Sequence, residues 1–149
     1  MRAVNTGPMC PPPANHSVAG MNLRLALLLG LVALARPVLS VIGAYDAGPL
    51  AEPVGPLVMT ALSSLAWIAA AVWLKVRQPV LTLAGAGIAY AVFAIVLNWS
   101  LQPFLASAER IPLPGYLAMP LVNAAYGAVL GLIALGLQRL IARRAPAAR

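Results

Sequence analysis

The chain has 149 residues, of which 62% are hydrophobic and 9% are charged, and its formal net charge is +7. A soluble domain is about 25% charged, so this composition excludes a water-exposed globular surface and indicates a membrane-embedded protein. The basic residues gather at the ends of apolar segments, where membrane topology explains them better than nucleic-acid binding does.

The N-terminal residues 1–20 lack hydrophobic periodicity and include three consecutive prolines, which is typical of a disordered tail. An apolar run begins directly after Met21, so an alternative is that translation starts there and the tail is not part of the protein. The tail holds the chain's one cysteine, Cys10, and its one histidine, His16. A single thiol and a single imidazole predict neither an internal disulfide nor a metal site.

Four apolar segments follow the tail, and they cover residues 23–44, 57–76, 80–101 and 117–137. Each is about 20 residues long, which as a helix spans a hydrocarbon core of about 30 Å. The connections between them are short, which favours antiparallel neighbours. The sequence therefore predicts an all-α membrane protein: a four-helix antiparallel transmembrane bundle over residues 21–142, with a basic cytoplasmic tail over residues 143–149.

Charge predicts the orientation of this bundle. Arg110 lies on one side of the predicted membrane together with the three acidic residues, Asp46, Glu52 and Glu109. Most basic residues lie on the other side, namely Arg2, Arg24, Lys75, Arg77, Arg139, Arg143, Arg144 and Arg149. The positive-inside rule then places both termini in the cytoplasm, and we expect a multi-pass protein of the bacterial cell membrane.

The first segment has a second interpretation, as a cleavable signal peptide. It has a basic start, a short apolar core and small residues at Ala33 and Ala35. Cleavage after Ala35 would leave Arg36 at a new N-terminus and three spans. We favour a retained first span, because residues 23–44 are long enough to cross the membrane themselves.

Small residues recur at steps of three and four in each segment, which keeps each set on one helix face. In lipid such residues let helix backbones approach closely, so close packing is favoured over the lining of a conduit. Gly127 and Gly131 in the fourth segment form a GxxxG pair, which could equally join two copies of the protein.

Arg36 lies inside the first segment and precedes Pro37. An arginine at the membrane centre costs about 2.5–3.5 kcal/mol on insertion scales, and helical side chains lean toward the N-terminus. We therefore expect Arg36 to face the other helices. Polar residues at comparable depth complete a candidate polar pocket, consisting of Arg36, Ser40, Ser63, Ser64, Asn98 and Asn123.

Two roles are open for Arg36. It is either a structural cation that contacts polar atoms of other spans, with Asn98 and Asn123 as the expected partners, or the charge of a ligand pocket. The structural role is favoured because intramembrane polar groups often serve helix packing. The pocket is the sharper hypothesis, since an arginine without a carboxylate partner is suited to binding an anion.

Residues 36–68, RPVLSVIGAYDAGPLAEPVGPLVMTALSSLAWI, resemble uncharacterised small four-span integral membrane proteins of actinobacteria. The resemblance implies the four-span architecture and carries no activity.

The favoured function is therefore a non-enzymatic accessory or structural one, through packing with a second copy or another membrane protein in the lipid bilayer. The alternative is a transporter-like or small anion- or ligand-binding bundle that uses Arg36. An enzyme is disfavoured because no span offers a nucleophile, base or metal set. No cofactor and no nucleic-acid partner are expected.

Overall fold

The computed structural model describes residues 21–46, 48–104 and 112–144. The predicted disordered tail with Cys10 and His16, the outer residues Glu109 and Arg110, and residues 145–149 lie outside the described part. Within it the chain is helical and has no strand, with a short 3-10 turn at Gly48–Leu50. The helices are α1 Leu23–Ala33, α2 Ala35–Val41, α3 Val54–Trp73, α4 Pro79–Leu101 and α5 Leu113–Arg144.

Four helical segments are long and apolar enough to cross a membrane, and α1 and α2 together form the first of them. The prediction of an all-α, four-span bundle is confirmed. The last span differs in length: α5 has 32 residues, or about 48 Å at 1.5 Å per residue. It therefore exceeds a hydrocarbon core of about 30 Å. Arg143 and Arg144, predicted as part of a tail, belong to this helix.

The first span is broken at Leu34, one turn before Arg36 and Pro37. The Leu34 N–H donates to the Leu31 carbonyl at 3.1 Å, a tight turn of the 3-10 type. Pro37 has no N–H, so it cannot donate to the carbonyl of Ala33 as a helical residue would. The break separates α1 from α2, and Arg36 lies at the start of α2.

The helix neighbours do not follow the order of the chain. Helix α4 is central, because it packs extensively against α5 and on another side against α1. Helix α3 packs mainly against α5 and touches α1, α2 and α4 only weakly, although residues 74–78 are all that separate it from α4. The packing order is therefore α1, α4, α5, α3, which leaves a gap between α3 and the first span.

Glycines set the close contact of α4 with α5. A Cβ atom on Gly87 would overlap the backbone carbonyl of Asn123, and one on Gly127 would overlap the carbonyl of Leu83. At Gly131 a Cβ would lie 2.5 Å from the Cα of Val80. The small-residue faces thus serve close packing within the chain. The GxxxG pair faces α4, which leaves that face no room for a second copy.

The bundle has two chemically different ends. One end, the basic end, carries Arg24, Lys75, Arg77 and Arg139, and the other, the acidic end, carries Asp46 and Glu52. The cluster of buried hydrophobic side chains lies mainly in the half nearer the basic end, and it consists of Ala26, Leu29, Ala33, Trp67, Ala71, Val76, Leu83, Ala86, Leu130 and Ala134. The half nearer the acidic end has no comparable cluster among the described residues, and the candidate site lies there.

Candidate functional site

A cleft opens in the middle of the bundle, where α3 stands apart from the first span. All four spans contribute to its wall, and it holds about 420 Å³ of empty space, its open mouth included. It is lined by Ala33, Arg36, Thr60, Ser63, Ser64, Trp67, Tyr90, Asn123, Tyr126 and Leu130. Among these lining residues, Arg36 is the charged one.

The structure brings together part of the candidate polar pocket. Arg36, Ser63, Ser64 and Asn123 line the same cleft. Ser40 lies outside the cleft, in an adjoining groove that Arg36 also lines. The four residues come from three different spans. The fold places them around one space, as expected from their similar depth in the membrane.

Asn98 does not belong to this cleft, and its expected contact with Arg36 is wrong. Its side-chain oxygen accepts from the Gln102 amide at 3.2 Å on the same helix. The residue of α4 that reaches the level of Arg36 is Tyr90. Asn98 lies eight residues farther along, or about 12 Å closer to the acidic end.

The expected contact with Asn123 is not formed as a hydrogen bond either. The Asn123 amide donates to the Met119 carbonyl of its own helix at 2.8 Å. Within the described residues, the hydrogen bond between Arg36 and another side chain is made by its backbone carbonyl, which accepts from Tyr45 Oη at 3.5 Å. Neither Asp46 nor Glu52 forms an ion pair with its guanidinium within 4.0 Å. The guanidinium N–H groups therefore have no partner among the described side chains.

The hydroxyl groups of α3 are ordered by the helix backbone. Thr60 Oγ1 donates to the Pro56 carbonyl at 2.7 Å, and Ser64 Oγ donates to the Thr60 carbonyl at 2.6 Å. Tyr126 Oη lies 2.6 Å from Ser64 Oγ. Because the Ser64 proton is already used, Tyr126 is the donor in this pair. The bond ties α5 to α3 along one wall of the cleft.

The cleft is closed toward the basic end by Trp67. The indole is 4% exposed, and its Nε1 donates to the Leu29 carbonyl of α1 at 3.1 Å. Ala33 and Leu130 line the cleft beside it and also belong to the buried core. The cleft is therefore blind: it ends on packed side chains.

Toward the acidic end the cleft adjoins a groove of about 640 Å³, lined by Arg36, Pro37, Ser40, Val41, Tyr45, Glu52, Pro56 and Tyr90. Arg36 and Tyr90 line both spaces, so they stand at the passage between them. A ligand that entered from the acidic end would pass Tyr45 and Glu52 in the groove before it met these two side chains.

Two tyrosines that line the cleft, Tyr90 and Tyr126, are not among the residues of the predicted pocket. Tyrosines of membrane proteins are usually found in belts at the interfaces, whereas these two lie near the middle of α4 and α5. A mid-span tyrosine needs a partner for its hydroxyl, and that is the signal that could have identified both residues.

The chemistry available in the cleft is that of binding. Arg36 supplies a fixed positive charge and up to five N–H donors. The hydroxyls of Ser63 and Tyr90 form no hydrogen bond with another described side chain or carbonyl. No group of three or more His, Cys, Asp or Glu side chains within the described ranges is placed to hold a metal ion.

Comparison with known proteins gives no further guide to this site. No protein-family model, no curated protein and no solved structure matches the chain.

Proposed function

We propose that this protein binds a small ligand with an anionic group in the cleft beside Arg36. The observation that carries the proposal is that a guanidinium without an ion pair lines a blind cleft to which all four spans contribute. A carboxylate or phosphate group suits it, since guanidinium forms two parallel N–H···O bonds with such groups.

The position of Arg36 within a membrane span strengthens this preference, although the residue is exposed within the chain itself. A charge within the bilayer is costly unless something compensates it, and the described lining of the cleft offers no carboxylate. Hydroxyl and amide oxygens of Ser63, Tyr90 and Asn123 supply only dipoles. An anionic ligand would neutralise Arg36 and so offset the free-energy cost of placing its charge within the bilayer.

The size of the cleft limits the ligand. The part of the cleft that a water-sized sphere can occupy is about 70 Å³, well below the about 300–1,000 Å³ of drug-sized sites. The Trp67 ring also lines the cleft, which suits an apolar group on the ligand. The ligand class is therefore a small organic anion rather than a large amphiphile.

The proposed route of entry is from the acidic end. The groove that adjoins the cleft lies there, while core side chains pack on the side of the cleft nearer the basic end. The positive-inside rule makes the acidic end the outer one. The protein would thus receive its ligand from outside the cytoplasm, as a binding component or as the outward-open form of a transporter.

Trp67 provides a reporter for the test. The other two tryptophans are exposed, Trp73 at 85% and Trp99 at 58%, and can be replaced by phenylalanine. The purified Trp73→Phe/Trp99→Phe protein is titrated in detergent with acetate, benzoate, phosphate and sulfate while Trp67 emission is recorded. We expect a saturable change with at least one organic carboxylate.

Arg36 variants decide the outcome. Arg36→Gln should abolish the saturable change, and Arg36→Lys should weaken the affinity about tenfold because the bidentate fork is lost. Arg24→Gln, which removes an equal charge at the basic end, is the matched control and should leave the affinity unchanged. Equal binding by the Arg36→Gln protein would contradict the proposal.

A second candidate, an accessory role through a membrane partner, is favoured by the packing of α3. Only 17% of its most apolar window is buried within the chain, against 39% for α4. Because Leu62 and Leu65 are 54% and 63% exposed, a partner helix could cover this face. Cysteine cross-linking at Leu65, compared with Leu132 on α5, would reveal such a neighbour in native membranes, and labelling by lipid probes alone would argue against one.

A further inference from the structure

A second groove lies at the basic end, away from the cleft. It is formed by the start of α1 and by the loop that joins α3 to α4, and it holds about 1010 Å³ of open space. Its lining consists of Met21, Asn22, Leu23, Arg24, Leu74, Lys75, Val76 and Arg77. Three basic side chains from two parts of the sequence thus share one groove, and its described lining contains no carboxylate.

The loop that carries two of these cations is fixed by hydrogen bonds. The Val76 N–H donates to the Ala71 carbonyl and the Lys75 N–H to the Val72 carbonyl, each at 3.1 Å. This pair of bonds is a Schellman motif, which ends α3. The Gln138 amide of α5 also donates to the Ala71 carbonyl, at 2.8 Å. The position of Lys75 is therefore set by the fold.

Lys75 occupies a backbone conformation that favours glycine. Its φ is +47°, in the left-handed region, where a side chain with a Cβ is disfavoured. The same motif ends α2, where Ala44 donates to Leu39 and Gly43 to Ser40, and there the left-handed residue is Gly43 at φ +73°. The chain thus uses glycine at one such position and lysine at the other.

A lysine at this position carries a steric cost that glycine would avoid. The positive-inside rule does not require a cation at position 75 to orient the protein in the membrane, since Arg77 lies two residues away. The Schellman motif fixes the direction in which the Lys75 side chain leaves the backbone. That side chain lines the same groove as Arg24.

The groove borders exposed apolar side chains. Leu23 is 57% exposed, Leu74 is 61% exposed and Trp73 is 85% exposed. An exposed tryptophan next to basic residues is typical of a membrane–water interface. The surroundings therefore suit a molecule with an anionic head and hydrocarbon chains better than a free ion, and basic pockets of this kind can bind lipid headgroups.

We propose that this basic-end groove binds the headgroup of an anionic phospholipid, with Lys75, Arg77 and Arg24 as the phosphate-binding residues. The acyl chains would lie along Leu23 and Leu74. This site is separate from the cleft and does not depend on the function proposed for Arg36.

The test uses the full-length protein in neutral detergent micelles that contain either phosphatidylglycerol or phosphatidylcholine. Native mass spectrometry counts the lipids that stay bound, and far-UV circular dichroism follows thermal denaturation. We expect preferential retention of phosphatidylglycerol. Lys75→Gly should lower that retention at least threefold without lowering the denaturation midpoint, since glycine suits the left-handed backbone.

Two further variants separate a site from general charge attraction. Arg77→Gln should also lower retention at least threefold, while Arg143→Gln, which removes an equal charge from α5, should change it by less than 1.5-fold. An equal loss in the Arg143→Gln protein would overturn the proposal. So would unchanged retention in the Lys75→Gly and Arg77→Gln proteins.

Inorganic phosphate distinguishes the two sources of a phosphate group. At millimolar concentration it should displace little phosphatidylglycerol, because it has no chains to lie along the apolar border. Full displacement by phosphate, or equal retention of phosphatidylcholine, would contradict an anionic-lipid site.

Discussion

Tyr126 Oη and Ser64 Oγ lie 2.6 Å apart and join α5 to α3 across one wall of the cleft. Helix α3 touches the first span and α4 only weakly. This hydrogen bond therefore belongs to the interface that holds α3 in the bundle.

Removal of this bond should loosen α3. Tyr126→Phe and Ser64→Ala should each destabilise the protein, with a coupling of about 0.6 kcal/mol and at most about 1.7 kcal/mol, the range for hydrogen bonds within membranes. A double-mutant cycle, with unfolding by SDS in mixed micelles, measures the coupling. Ser100→Ala is the control, because that hydroxyl bonds only within α4. A coupling of zero would show that the bond does not support the interface.

Glycine at position 127 should contribute to stability. A Cβ there would overlap the Leu83 carbonyl, whereas one on Gly136 would meet nothing within 4 Å. Gly127→Ala should cost about 1–3 kcal/mol as an overpacked contact, and Gly136→Ala should leave the stability unchanged or slightly raised. SDS unfolding of the two variants on the same helix gives the comparison. Equal effects would mean that the close contact of α4 with α5 is absent.

Trp67 should be the tryptophan that matters for stability. Its replacement by phenylalanine removes the N–H that bonds to the Leu29 carbonyl and part of a buried ring, with an expected cost of about 1–2 kcal/mol. Trp73→Phe is the matched change at an exposed position and should be close to neutral. Thermal denaturation followed by circular dichroism compares the two variants. A larger loss of stability for Trp73→Phe would contradict a buried Trp67 at the closed end of the cleft.

The spans could be predicted from the sequence because the bilayer dictates their length and polarity. The order in which the spans pack could not be predicted, since small residues occur on every span and do not indicate which span lies next to which. One signal was nevertheless present in α4. Ala84 and Gly87 face α5 on one side, and Ala86 and Ala89 approach Gly30 of α1 on the other, so a helix with two small faces is the central one.

The candidate site was predicted in part for a physical reason. Depth along a span follows from counting residues, which brought Arg36, Ser63, Ser64 and Asn123 together. Rotation and tilt do not follow from counting, so Asn98 was assigned to a level that Tyr90 occupies. The first span is also interrupted at Leu34, which a residue count does not anticipate.

The orientation is open to a direct test. The basic end includes the C-terminal turn of α5, and the acidic end includes Glu52. By the positive-inside rule, a cytoplasm-active reporter should work when fused after Arg149, and a periplasm-active reporter when inserted near Glu52. Activity of the periplasmic reporter at the C-terminus would reverse the assignment.

The first span should be retained in the mature protein. Its helical segment Leu23–Val41 packs against α4 through Ala26 and Gly30, so its removal would uncover one face of the central helix. Intact-mass measurement of the purified protein should therefore include residues 21–35. A mature chain that began at Arg36 would contradict the four-span bundle.

The central claim, a cleft open to the acidic end with a charge set by Arg36, is tested most directly by charge-selective labelling of Ser63→Cys in a Cys10→Ser background. Small membrane-impermeant methanethiosulfonates, one anionic and one cationic, are applied from the side of Glu52, and the two rates are compared. We predict that Ser63→Cys reacts from this side, that the anionic reagent has the advantage, and that Arg36→Gln lowers its rate relative to the cationic reagent about tenfold. Labelling only from the basic end, or a rate ratio that is unchanged by Arg36→Gln, would contradict the account.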